Sequence, residues 1–288
     1  MPDPPDVLYH YTTAAGLLGI VSERRIWATR AQYLNDAKEV SHAFEVANGL
    51  LPELEARNTS GSEAFRSYLE TSPIMPWVFV TAWTENGDQL SQWRGYGGGV
   101  GPAYSLGFEG AALAQAARQE GWRLERCIYG AEEQTALIRR QMENFYVSFE
   151  QEMLIDHNGD VLDQSPRFAQ AFSNQLFSNL LLVAPMLKHP AFAEEAEWRL
   201  ISPISSELGI EHRAGPHTIV PYTSFCLPVR NDVLDIRDTV IGPTPASKEA
   251  AQQAVFSLYR AKRAGRFNSA DRAVHGGVRL SGIPYRYW

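Results

Sequence analysis

A mixed α+β fold is what this sequence predicts, on three observations. Short β-rich runs open, punctuate and close the chain, and one stretch from Glu132 to about Lys188 has a helical pattern with a single polar break. Strands and helices do not alternate regularly as βαβ units, which argues against a doubly wound parallel sheet. At 288 residues and 44% hydrophobic, the chain can bury a full core as one large domain, or as a domain with an insertion. One domain over residues 1–288 is expected, with 132–188 as a helical insertion or lid broken at the polar Asp156-His-Asn-Gly-Asp160.

Taken in order, Val7 to Tyr11 reads as a strand, and Thr12 or Thr13 can cap a short helix from Ala14 to about Val21. Asn35-Asp36-Ala-Lys-Glu39 opens a longer helix with apolar Val40, Phe44, Ala47, Leu51 and Leu54, its Asp-x-x-Glu spacing resembling a capping box. A further helix covers Glu63 to Leu69. Trp77 to Trp83 and Ala103 to Phe108 are β-rich, with a short polar helix and a glycine-rich loop between them. A helix from Ala111 to Gln119 leads to a strand from Trp122 to Tyr129. Beyond the helical stretch, short strands are expected at Trp198–Ile204, Thr218–Tyr222, Phe225–Val229 and Val233–Ile241, then a helix from Ser247 to Ala264.

Composition narrows the function classes. A net charge of −7 leaves no broad basic face, so affinity for nucleic acid built mainly on phosphate neutralisation is disfavoured, and nucleic acid is expected only as a specific substrate. Cys127 and Cys226 form no CxxC pair and no disulfide framework. The histidines show neither HExxH nor zinc spacing, so no metal is expected. Without a basic leader or a run of roughly 20 apolar residues, the expectation is a cytoplasmic protein with no membrane partner.

Several segments carry chemistry-bearing residues, each with a plain structural alternative. Tyr96-Gly-Gly-Gly-Val-Gly101 precedes a strand and not a helix, so it is a flexible connection sooner than a phosphate cradle. His10 lies on an apolar, aromatic strand, as a core histidine or as a partner for a ribose hydroxyl. Asn35, Asp36 and Glu39 are accounted for by capping, but can also line a site from that helix end. From Trp83 to Tyr96 a loop packs two tryptophans, a tyrosine and Arg94 among acids, either as a ring-stacking wall or as a satellite core. Glu195 and Glu197, two apart on a strand, would share a face, and like charges side by side raise at least one pKa. A solvated charge run is the alternative.

In order along the chain, Leu8-Tyr9-His10-Tyr11-Thr12, Asn35-Asp36 with Glu39, Phe79 to Thr84, Asp88 to Trp93-Arg-Gly-Tyr96, Gly107-Phe108, Lys188 with Glu194 or Glu195, Glu197 and Arg199, and Ser281-Gly-Ile-Pro-Tyr-Arg286 resemble the family called domain of unknown function 2971. The opening Tyr-His-x-Thr strand followed by a short helix is also similar to the start of DarT-type ADP-ribosyltransferases. That second resemblance implies an ADP-ribosyltransferase-like split mixed β-sheet core and NAD⁺ as donor substrate. It implies that His10 and Thr12 hold the nicotinamide ribose, that Tyr96, Trp93 or Tyr11 stacks on nicotinamide, and that Glu197 hydrogen-bonds the ribose and promotes transfer. Glu195 would orient or deprotonate the acceptor, and Arg94 or Arg199 would pair with pyrophosphate. The simple His-Tyr-Glu spacing of better-known transferases is absent.

The function so implied is an NAD-dependent ADP-ribosyltransferase, a bacterial toxin or phage-defence effector acting on a protein or nucleic-acid acceptor, with an antitoxin or regulatory partner. Two alternatives stand beside it. One is an NAD⁺ glycohydrolase, and the other is an inactive nucleotide-sensing or protein-binding module.

Overall fold

The computed structural model describes residues 3–34, 38–54, 59–71, 77–97, 103–155, 166–204, 209–215, 217–244, 247–265 and 277–284. Asn35, Asp36, the Asp156–Asp160 break, Gly98–Gly101, and Tyr285 with Arg286 lie outside them. The first half runs β1 (Val7–Thr13), α1 (Ala14–Glu23), β2 (Arg25–Arg30), α2 (Lys38–Leu54), α3 (Thr59–Thr71), β3 (Phe79–Thr84), α4 (Leu90–Gly97), β4 (Ala103–Glu109) and α5 (Gly110–Gln119). Then follow β5 (Arg123–Arg126), α6 (Ala131–Ile155), α7 (Pro166–Leu181), β6 (Glu197–Ile201), β7 (Glu211–Ala214) and β8 (Ile219–Cys226). The chain ends on β9 (Val229–Arg230), β10 (Val233–Leu234), β11 (Asp238–Ile241), α8 (Lys248–Lys262) and β12 (Val278–Leu280).

The mixed α+β expectation holds at that level. Ten strands form one sheet in the order β12-β11-β4-β1-β3-β2-β8-β7, with β6 added to β3 and β5 to β6. Every pairing in it is antiparallel except β11 with β12. One edge of β3 is zipped to β6 from Val80↔Ile201 to Thr84↔Glu197. The opposite edge is shared: β2 takes its start, at Phe79 and Val80, and β1 takes its end, at Thr84. Among the described residues Thr81, Ala82 and Trp83 have no ladder partner on that edge, so β1 and β2 diverge and the sheet opens as a wedge.

Side-chain alternation divides the core between the two sheet faces. Phe79, Trp83, Trp198 and Leu200 face a core closed by α1, α5 and α8. Val80 and Ile201 face the other core, built by α2, α3, α6 and α7, where Leu51, Phe65, Met142, Phe172 and Leu176 are fully or almost fully buried. Each such large side chain contributes roughly 1.5–3 kcal/mol on burial. Among the described residues of the 132–188 stretch, α6 and α7 share this core with α2 and α3.

Local chemistry accounts for the elements that frame the wedge. The Thr13 hydroxyl caps α1 by accepting from the Gly16 amide at 3.2 Å, and Leu17, Ile20 and Val21 give α1 its buried stripe. A Cβ at Gly16 would come within 2.0 Å of Thr12 Oγ1, so only glycine lets α1 lie this close to β1.

Several boundaries depart from the sequence reading. β2 and β7 were not foreseen, because Arg25–Arg30 and Glu211–Ala214 are short and charged and owe their strand state to pairing with β8. The run Val233–Ile241 divides into β10 and β11, with Leu234 and Ile236 both buried around the break.

Asp88 ties the loop after β3 to the last strand. Its carboxylate accepts from Trp93 Nε1 at 2.7 Å, the Ser281 hydroxyl at 2.6 Å and the Gly282 amide at 2.8 Å. We expect Asp88→Ala to cost about 2 kcal/mol or more, since it orphans the indole N–H of fully buried Trp93 and removes charge-assisted bonds. A urea midpoint unchanged from wild type would contradict this clasp.

Candidate active site

Glu197, Arg199 and Ile201 alternate with Trp198 and Leu200 on β6, so the acid and the arginine emerge on the face of the second core, opposite Thr84 and Ala82. All five β6 residues are buried. Glu197 is 4% exposed and Arg199 3%, which no solvated charge run would show. Arg199 Nε donates to Glu197 Oε1 at 2.7 Å, and its Nη1 donates to the Pro185 carbonyl at 2.8 Å. The Lys188 ammonium bonds both Glu197 and, at 2.5 Å, Glu195.

Glu195 reaches that lysine by a route other than a shared strand face. It closes a 3-10 segment, Pro190–Glu195, and Ala196 then turns through a left-handed conformation (φ 42°, ψ 50°) before β6 begins. The segment is docked by the Thr84 hydroxyl donating to the Glu195 carbonyl at 2.6 Å, and by Gln89 Nε2 donating to the Glu194 carbonyl at 2.8 Å. The backbone amide of Glu197 donates to Tyr129 Oη at 2.8 Å.

The electrostatics correct an expectation. Two neighbouring carboxylates were expected to raise a pKa, but Glu197 is shifted down. Burial alone pushes it up, and the Arg199 and Lys188 cations outweigh that. Lys188 is raised: desolvation opposes its charge, and Glu197 and Glu195 overcome it. Lys188, left without a role in the sequence reading, is therefore the cation joining both carboxylates. The signal was Pro190, which starts the 3-10 turn folding Lys188 back towards Glu195.

These groups line a cavity of about 480 Å³ at the open edge of β3, together with Tyr11, Tyr96, Ala82 and Thr84. A second cavity, of about 450 Å³, holds His10, Thr12 and Thr13. The two share Tyr11, Leu34, Val80, Ala82 and Tyr96, so they are the inner and outer halves of one cleft in the sheet wedge. His10 bridges that wedge, its Nδ1 lying 2.9 Å from the Ala82 carbonyl that no ladder bond takes. A carbonyl only accepts, so Nδ1 carries the proton. Burial pushes the ring's pKa down to about 4, against the Ala82 bond, and leaves a neutral imidazole with Nε2 as acceptor.

The aromatic wall is assembled differently from the expected loop. Trp93 is fully buried in α4 and does not line the cleft. Tyr11 packs edge-on against it at 4.6 Å, and Tyr96 stacks on Tyr11 at 6.1 Å, 40% exposed. The Tyr11 hydroxyl donates to the Asn86 carbonyl and accepts from the Gln89 amide, both at 2.9 Å. Burial, and then the Glu197 and Glu195 carboxylates, push the Tyr96 phenol up. Arg94 is exposed and outside the cleft lining, and Arg199 lines the cleft with its guanidinium already bonded to Glu197 and the Pro185 carbonyl, so neither is a ready pyrophosphate clamp. Among the described residues, no group of His, Cys, Asp or Glu could hold a metal ion, and no helix is long and apolar enough to cross a membrane.

Residues 92–200 match the family described as Protein of unknown function (DUF2971). Similarity to this family is what the ordered motifs of the sequence led us to expect. The match starts in α4 beside Trp93 and ends on β6 after Arg199, so it spans both carboxylates and Lys188. No curated protein and no solved structure matches the chain.

A group with a depressed carboxyl pKa stabilises the fold above its unfolded value, here 4.5, and the contribution is lost as pH falls through the folded value. Lys188→Met should therefore lower stability at neutral pH by up to roughly 3 kcal/mol, less than for a pair left with no cation because Arg199 remains. It should also flatten the fall in stability below pH 4.5. Thermal melts of both proteins from pH 7 to pH 3 check this, and parallel curves would refute it.

Proposed function

We propose that this protein is an NAD-dependent ADP-ribosyltransferase whose reaction centre is Glu197 in the inner half of the cleft. The observation that carries the reading is the buried carboxylate of Glu197, kept ionised by two cations beside a cleft that is walled by tyrosines and reached from the other side by a neutral His10. Buried ion clusters add little net stability over apolar packing, so a desolvated, charge-balanced carboxylate in a cleft favours a chemical role. The likeness of the opening strand to DarT-type enzymes, and the wedge opened between β1 and β2, point the same way.

In this reading, His10 Nε2 accepts a ribose hydroxyl and Tyr96 offers a ring face to nicotinamide. As the C1′–N bond breaks, nicotinamide leaves as a neutral molecule with the bonding pair, and positive charge grows on the ribose. The ionised Glu197 stabilises that charge. The acceptor's lone pair forms the new bond at C1′, and its proton passes to Glu195, which is the more exposed of the two acids, 24% against 6% by side chain. Asn35 and Asp36 lie outside the described residues and stay as proposed ligands on the sequence reading alone. The acceptor is a protein side chain or a base, and the setting proposed is a cytoplasmic bacterial toxin or phage-defence effector with a regulatory partner.

Nicotinamide release from NAD⁺ by the purified protein, with and without cell lysate, tests the proposal. Glu197→Gln should reduce release by about 100-fold or more. Lysate-stimulated, Glu197-dependent release is the transferase outcome, and equal release without lysate makes the protein a glycohydrolase. Tight NAD⁺ binding with no release under either condition replaces the proposal with a sensor.

A further inference from the structure

Strand β5 follows β6 as far as Arg126↔Trp198 and then changes partner. One more bond continues the ladder, from the Cys127 amide to the Glu197 carbonyl at 2.9 Å. In an antiparallel pair of this register the Glu197 amide would return a bond to the Cys127 carbonyl. The chain turns away instead, and Ile128 pairs in parallel with Leu187. The Ile128 amide donates to the Met186 carbonyl at 2.7 Å, and its carbonyl accepts from the Lys188 amide at 3.0 Å. This exchange brings the backbone of Lys188 alongside that of Glu197, and it leaves the Glu197 amide without a ladder acceptor. Tyr129 fills the gap, its Oη accepting from that amide at 2.8 Å.

The stretch from Cys127 to Gln134 thereby holds every main-chain polar group of both residues. For Glu197, the Cys127 amide donates to the carbonyl and Tyr129 Oη accepts from the amide. For Lys188, the Ile128 carbonyl accepts from the amide and Gln134 Nε2 donates to the carbonyl. Of these four contacts, only those of Tyr129 and Gln134 come from side chains. Glu197 is buried, and a buried amide is seldom left unpaired. Tyr129 is half-buried and lines neither half of the cleft, so whatever it does there it does through Glu197. Burial pushes its phenol up, which keeps the hydroxyl protonated and sets no further negative charge beside the two acids.

We propose that Tyr129 is a positioning residue: through the Glu197 amide its hydroxyl fixes where β6 begins, and so where the carboxylate stands between Lys188, Arg199 and the cleft. The inference rests on the transferase reading for the reaction it serves, but not for the contact it describes. The carboxylate is held from two ends. Lys188 and Arg199 bond its oxygens, and the phenol holds the backbone from which the side chain extends. Removing the hydroxyl leaves the start of β6 anchored on its β5 side by the Cys127 bond alone. A displacement of about 1 Å can cost on the order of 100-fold in rate where reacting groups must be aligned. The same movement lengthens the distances from the carboxylate to its two cations, and those distances set its charge state.

Tyr129→Phe in the full chain is the test, because it keeps the ring and removes only the hydroxyl. The carboxyl carbon of Glu197 is followed by NMR from pH 7 to pH 3 in protein labelled with carbon-13 glutamate, its signal being the one that Glu197→Gln removes. In Tyr129→Phe the titration midpoint of Glu197 should rise by about half a pH unit or more. Nicotinamide release should fall about ten-fold or more in kcat, with KM for NAD⁺ unchanged. Tyr146→Phe is the matched control, since it removes a buried phenol bonded to Ser62 at 2.8 Å in the helical layer. It should lower stability and leave both the Glu197 midpoint and the rate as in wild type. A wild-type Glu197 titration in Tyr129→Phe overturns the proposal whatever the rate, and so does an equal change in Tyr146→Phe. If the wild type releases no nicotinamide, the transferase reading falls, and the titration alone decides the role of Tyr129.

Discussion

β3 has one free edge, and two strands divide it. A strand that paired along the whole of that edge would take up the Ala82 backbone and leave a closed sheet. Because β1 takes only Thr84, and β2 only Phe79 and Val80, the middle of β3 must find other partners or lie in a cleft. His10 supplies one such partner for the Ala82 carbonyl. The split thus creates the cavity and also accounts for a histidine on an otherwise apolar strand. Both cores brace it: α1, closely packed through Gly16, holds β1 from one face, and the helical layer holds β3 and β6 from the other.

Desolvation sets the terms at the inner end. Burying Glu197, Lys188 and Arg199 carries a penalty of several kcal/mol per ion, which their mutual pairing offsets only with good geometry. The chain meets that requirement with bonds to both oxygens of Glu197, a carbonyl for Arg199 and a second acid for Lys188. Apolar residues of similar volume would serve stability as well. A costly arrangement kept at the floor of a cleft is where local folding rules are expected to yield to function.

Much of the fold was legible in the sequence. The helix face through Phe44, Ala47 and Leu51, the Thr13 cap, the central strand run and the long helical stretch all follow from spacing. β2 and β7 were not, since both are short runs bounded or dominated by charged residues and are held as strands by pairing with β8. The acids at 195 and 197 both reach Lys188, but not as neighbours on one strand. Strand alternation suggested a shared face, whereas a left-handed Ala196 and a lysine seven residues before Glu195 bring them together. That lysine also reverses the expected sign of the pKa shift. Trp93 illustrates the same limit: composition placed it near a site, and only tertiary packing showed that it is the foundation under Tyr11, which lines the cleft together with Tyr96.

The helical layer has a mechanical hold on the carboxylate without touching it. Gln134 of α6 donates through Nε2 to the carbonyls of Ile128 and Lys188, at 2.7 and 2.9 Å, and its Oε1 lies 3.1 Å from His42 Nε2 on α2. The Lys188 amide in turn donates to the Ile128 carbonyl at 3.0 Å. The backbone that carries the lysine is therefore fixed by two helices of one layer, while its ammonium is fixed by Glu195 and Glu197. Any displacement of α2 against α6 must either break the Gln134 bridge or move Lys188. Moving Lys188 shifts the ammonium that holds Glu197 in place and keeps it ionised. The Lys188, Glu195 and Glu197 cluster and the layer first read as an insertion are thus parts of a single hydrogen-bonded unit, and the position of the Glu197 carboxylate depends on both.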